Sequence, residues 1–110
     1  MLNHLTMITR RPPKPLALDE ATATQLAEVF DVFSDPSRVR IISVLVDGEQ
    51  NAGALAEAVG LSHSAVSHQM RGLRQLRLVL ARKDGRQVFY SLDDHVAHLY
   101  QYGLDHIRHG

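Results

Sequence analysis

The sequence predicts a mainly α fold carrying one small β-hairpin (α+β). Three observations predict it. Apolar residues recur at helical spacing in five segments, Gly and Pro punctuate those segments, and one late stretch, "LVLARKDGRQVFYSL", alternates as paired strands do. At 110 residues the chain holds one domain plus a short tail, and such a small helical fold gains core by dimerising.

The tail comes first. Residues 1–16 place Pro12, Pro13 and Pro15 beside Arg10, Arg11 and Lys14, the composition of a flexible basic arm. The domain is expected over residues 17–110. Its first helix runs from near Asp19 to Phe33, with Leu26, Val29, Phe30 and Phe33 on one face. "SDPSR" breaks it; Asp35 caps a second helix that has Pro36 at its first position, carries Val39, Ile42, Leu45 and Val46, and stops at Asp47–Gly48. A short helix over Ala52–Val59 ends at Gly60, and Ser62 caps a longer one reaching about Arg77. Short helix, glycine turn, longer helix is the outline of a helix-turn-helix. Two β-prone runs around the turn residues Asp84 and Gly85 then form a hairpin, which in this place is a wing. The last helix starts near Asp93 or Asp94 and runs to the end. The architecture expected is therefore a winged helix-turn-helix that dimerises through its terminal helices.

Charge is uneven beneath a net of zero. Ala17 to Leu61 holds eight acids against Arg38 and Arg40, whereas Ser62 to Tyr90 holds six bases (Arg71, Arg74, Arg77, Arg82, Lys83, Arg86) against Asp84. The basic block is where a polyanion would bind; the plainer reading is a solvated charged face. The longer helix helps decide. At about 100° per residue, Ala65, Val66, Met70, Leu73 and Leu76 gather on one side, and Ser64, Ser67, His68, Arg71 and Gln75 on the other. Hydroxyls, an imidazole, an amide and a guanidinium are what a major groove accepts. Arg82, Lys83 and Arg86 on the wing would grip backbone or reach a minor groove. Without an aromatic platform for single strands, double-stranded DNA is favoured over RNA.

With those motifs in place, "DPSRVRIISVL", "LAEAVGLSHSAVSHQMRGLRQLRLV" and "KDGRQVFYSL" together resemble the ArsR/SmtB winged-helix repressors, in order and spacing, over about residues 24–109. The resemblance implies a homodimer that binds an inverted-repeat operator and leaves it when an effector, usually a metal ion, binds. It also places Ser64, Ser67, His68 and Gln69 at recognition-helix positions, Gln69 at the border of the apolar face.

Four of the seven histidines fall in "DDHVAHLYQYGLDHIRHG". His95 and His106 are eleven residues apart, three turns, so they share a side yet lie about 16 Å apart along the axis. Zinc holds its ligands at about 2 Å, so both ends cannot bind one ion within one straight helix. An antiparallel partner helix solves this: Asp93 and His95 of one chain meet His106 and His109 of the other, giving two equivalent sites per dimer. His106 and His109 have a chelating spacing on a helix, and Asp93 with His95 works where a helix begins. Gly103, on the same stripe, would admit the partner helix closely. Val96, Tyr100, Leu104 and Ile107 form a neighbouring apolar face for the body of the domain. The resemblance implies the same ligands, since the family's terminal-helix site follows Asp-x-His, ten residues, His-x-x-Glu or His. It further implies a hydrogen bond joining His106 to the region of His68. His98, one turn from His95, is the rival ligand.

Three nitrogens and a carboxylate favour Zn2+; Ni2+ or Co2+ in a six-coordinate site, with His4 or His98 added, is the alternative. The family's other common site uses a cysteine where Asn51 stands, so that site is expected to be absent. The chain has no cysteine, which excludes disulfides and thiolate sites. No apolar run reaches a membrane span and the N-terminus lacks a secretory apolar core, so the cytoplasm is expected. A zinc hydrolase would need an open coordination position and a general base nearby; four protein ligands would close the site, and the sequence carries no Gly-rich phosphate loop or Ser/His/Asp set. The remaining alternative is a winged-helix repressor that responds to no metal, its histidines serving the dimer.

Overall fold

The computed structural model describes residues 14–110; the basic arm through residue 13, with His4, lies outside the described residues. Helix α1 spans Glu20–Asp31, capped by Asp19, whose carboxylate accepts the Thr22 N–H at 2.9 Å. It tightens into a 3-10 turn at Val32–Ser34 before Asp35 caps α2, Pro36–Leu45. Helix α3, Ala52–Val59, is capped by Asn51 and closed by Gly60. Helix α4, His63–Gln75, is capped by Ser62, and α5, Asp94–His109, by Asp93.

The expected hairpin forms, but the structure departs from the sequence reading in three places, two in the sheet and one in the helix before it. Strands β2, Val79–Asp84, and β3, Gln87–Leu92, pair antiparallel from Val79 opposite Leu92 to Asp84 opposite Gln87. The two loop residues are therefore Gly85 and Arg86, and Asp84 is the last ladder residue rather than part of the turn. Gly85, at a φ of +62°, occupies the first loop position, where a two-residue hairpin demands a residue free of a Cβ penalty. A third strand escaped the sequence reading. β1, Gln50–Asn51, pairs with Phe89 and Tyr90 of β3, giving the sheet order β1-β3-β2. Two polar residues carry no strand pattern, so nothing in the sequence announces them. Thirdly, α4 ends at Gln75 and not at Arg77, because Arg77 takes a left-handed φ of +59°. The Leu78 N–H then bonds the Leu73 carbonyl at 2.9 Å, closing the helix as a Schellman turn.

The core sits where α2, α3, α4 and the sheet converge. Ile41, Ile42, Leu55, Val66, Met70 and Leu73 are fully buried, joined by Val32, Val79 and Val96. Arg40 supports it from the rim: its guanidinium donates to the Val59 carbonyl at 3.0 Å, satisfying the C-terminal end of α3. By contrast α1 buries none of its residues, and Leu26 and Phe30 stay about half exposed. On α5, Val96 is buried and Tyr100 is packed against the core, but Ile107, expected on the same inward face, is 80% exposed. The N-terminal half of α5 lies on the body; beyond it Leu104 is half-buried and Ile107 is left exposed. Phe30, Phe33, Leu99, Tyr102, Gly103 and Ile107 line an open apolar groove of about 530 Å³ between α1 and α5.

Candidate nucleic-acid interface and metal centre

Helix α4 is held from one side and free on the other. Val66, Met70 and Leu73 anchor it, while Ser64, Ser67, His68, Arg71 and Gln75 are exposed on the outer face. Leu76, grouped with the apolar side by period, is only partly covered, at 37% exposure, because the helix has already ended. The Ser62 hydroxyl accepts the Ala65 N–H at 3.1 Å and lies 3.2 Å from the Ser64 hydroxyl, fixing the leading edge of the helix. Gln69 is half-buried, and its Nε2 donates to Asp35 Oδ2 at 3.2 Å. That carboxylate also accepts the Ser37 N–H at 3.1 Å and Arg38 Nε at 3.3 Å. The backbone N–H of Ser37 first, then Gln69 and Arg38, hold Asp35 below its ordinary pKa.

The wing cations divide. Arg82 donates from Nε and Nη2 to the two oxygens of Glu49, at 3.1 and 2.7 Å, and its guanidinium lies 4.6 Å from the centre of the Phe89 ring. Each partner stabilises the other's charged form: the Arg82 hydrogen bond lowers the Glu49 pKa, and Glu49 raises that of Arg82. In the free chain Arg82 therefore pins strand β2 to the segment leading into β1. Lys83 and Arg86 are exposed and make no ion pair among the described residues. Sequence reasoning offered no sign of the Glu49–Arg82 pairing, since 33 positions separate the two.

At the other end of the domain, Asp93 caps α5 by accepting the His95 N–H at 3.0 Å. The same oxygen lies 2.9 Å from His95 Nδ1. The imidazole of His95 is 90% exposed. His98, His106 and His109 are exposed as well. The structure thus brings Asp93 and His95 together and leaves His106 and His109 three turns away on the same helix. Among the described residues no three potential ligands of one chain converge.

Three helices around one core, the last of them (α4) with a polar outer face, and a cationic hairpin define a winged helix-turn-helix DNA-binding regulator. The model for the bacterial regulatory protein arsR family matches residues 35–80. A transcriptional repressor SmtB homolog from Synechocystis sp. is 45% identical over 97% of this chain and 80% of its own length. A cadmium resistance transcriptional regulatory protein CadC homolog from Staphylococcus aureus is 39% identical over 76% of this chain and 70% of its own. Among solved structures, apo-NmtR (from Mycobacterium tuberculosis) is 41% identical, with a TM-score of 0.72 over 93% of this chain and 86% of that one. A homodimeric winged helix-turn-helix domain from Mycobacterium bovis is 27% identical, with a TM-score of 0.73 over 82% and 88%. The chain belongs to the ArsR/SmtB family of transcriptional regulators, and these relatives are regulators, not enzymes. No helix among the described residues is long and apolar enough to cross a membrane.

Proposed function

We propose that the protein is a metal-responsive transcriptional repressor: a homodimer that binds an inverted-repeat operator when metal-free and releases it when a divalent ion, zinc before others, binds between the two α5 helices. The observation that carries the reading is the division of ligands along α5. Asp93 and His95 form a close pair at its first turn, and His106 and His109 occupy its last. A second copy running antiparallel would bring each pair to its complement.

The donors fit such an ion. Asp93 Oδ2 and His95 Nδ1 lie 2.9 Å apart, close to the spacing of two ligands on one ion, so a bound ion would take the place of the hydrogen bond between them. Three imidazoles and one carboxylate supply the tetrahedral N/O set that zinc accepts. The CadC relative's name ties a protein of this family to cadmium resistance, and the Mycobacterium bovis relative is homodimeric. Exposed Tyr102 and Ile107, with Gly103 offering nothing but open space above its Cα, provide the face a second copy would cover.

Ligation across the seam fixes how the two α5 helices cross. Val96 is buried in the same core as Val66, Met70 and Leu73 of α4, so a change in that crossing moves the two α4 helices relative to one another. Two reading helices fit successive major grooves at only one separation, so the operator is released. Cytoplasmic residence follows from this role. The test is operator affinity of the purified dimer with and without zinc, then across a panel of divalent ions. A large loss of affinity on zinc addition is expected. Equal affinity in both states would contradict the sensor reading and leave the metal-independent repressor.

A further inference from the structure

We infer that Asp35 controls the availability of Gln69: in the DNA-free protein its carboxylate holds the Gln69 side chain, and operator bases must compete for it, which makes Asp35 a positioning residue for sequence reading. The inference rests on the DNA-binding reading above and deepens it.

Gln69 follows His68 of the outer face and precedes fully buried Met70, so its side chain emerges at the seam between core and groove face. There its Nε2 meets Asp35 Oδ2 at 3.2 Å, across 34 positions of sequence. Among the described residues, this is the only hydrogen bond between side chains that ties α4 to another helix. The open cleft beside it, about 430 Å³, is lined by Asp35, Arg38, His68, Arg71 and Gln75. The tie therefore sits within the surface that would face DNA.

A glutamine reads adenine by using its N–H and its carbonyl together. While Nε2 donates to Asp35, one of its two N–H groups is committed and the amide is anchored beside α2, so the tie must break for the side chain to swing its carbonyl and an N–H together onto a base edge. Release is feasible because Asp35 keeps the Ser37 N–H and Arg38 as partners. The carboxylate is thus never left unsatisfied, and what must be exchanged is one hydrogen bond. Backbone contacts from Lys83 and Arg86 do not involve Gln69, so the competition acts on base-specific binding and not on general affinity for DNA.

The test uses the zinc-free full chain and two duplexes, one selected by this protein from a random pool and one unrelated. Asp35→Ser retains a helix cap but is too short to reach Gln69; it is compared with Gln69→Ala and the double variant. Exchanging one net hydrogen bond predicts that Asp35→Ser tightens binding to the selected duplex about two- to tenfold more than to the unrelated one. The extra gain should vanish in the Gln69→Ala background. Equal gains on both duplexes, or a gain that survives Gln69→Ala, would reduce Asp35 to a repelling charge and overturn the inference. A loss of selective binding in Asp35→Ser would overturn it too. A DNA-independent readout is the Gln69 side-chain amide signal in NMR, which should move toward that of a solvated amide in Asp35→Ser; an unmoved signal contradicts the tie. If no duplex is selected at all, the DNA-binding reading itself falls, and this inference with it.

Discussion

Asp93 performs two tasks with one carboxylate. It caps α5 and it holds the His95 ring at 2.9 Å. Asp93→Ser separates them, because serine caps a helix nearly as well but contributes no carboxylate to a metal. Zinc affinity of the dimer, measured by competition with a chelating dye, should fall far more in Asp93→Ser than in His98→Ala. The opposite order would transfer the ligand role to His98. Elsewhere carboxylates act in folding. Asp35 and Glu49 have pKa values lowered by the Ser37 N–H and by Arg82 respectively. The unfolded chain therefore binds these protons more tightly than the folded one, and stability rises with pH through the carboxylate range. Their contribution is complete above the ordinary values, about pH 4, and is lost as pH falls through the lowered ones. Urea unfolding followed between pH 6 and 3 should show this decline, with a shallower acid limb in Asp35→Ser.

Individual elements show what a sequence can and cannot disclose. The caps Asp35 and Ser62 were legible because each is local, standing immediately before its helix and accepting the expected backbone N–H; Asp19 and Asp93 were legible only as helix starts, and the Asn51 cap was not foreseen. The core face of α4 was legible from period alone, apart from Leu76, which falls beyond the helix end. Long-range pairings were not. Glu49 with Arg82, Asp35 with Gln69 and Arg40 with the Val59 carbonyl join residues 33, 34 and 19 positions apart, and no periodicity encodes them. The inward face of α5 was over-read for a related reason, since helical period assigns Ile107 to a stripe but cannot say where the body stops. The two Schellman turns give a further contrast. Gly60 closes α3 at a φ of +71°, whereas Arg77 closes α4 at +59° with a side chain that disfavours that region. Arg77→Gly should raise thermal stability by a few tenths to about 1 kcal/mol, measured by calorimetry; an unchanged or lower midpoint would show that the Arg77 side chain compensates for its backbone.

At the scale of the whole molecule, one chain is half of the proposed assembly. The apolar faces of α1 and α5 are left open, and the proposed ligands at the ends of α5 are too far apart to serve one ion. Both features call for a second copy in antiparallel register, and the DNA-reading helices would then be set by the same seam. The most direct test mixes two defective chains. One carries Asp93→Ser with His95→Ala, the other His106→Ala with His109→Ala. Neither homodimer can assemble a full ligand set, but in the mixed dimer one seam site receives both intact ends and the other receives neither. Zinc binding at native affinity, one ion per mixed dimer, is the predicted result. Failure of the mixture to restore any site, or native zinc affinity in either chain alone, would contradict a site built from both chains.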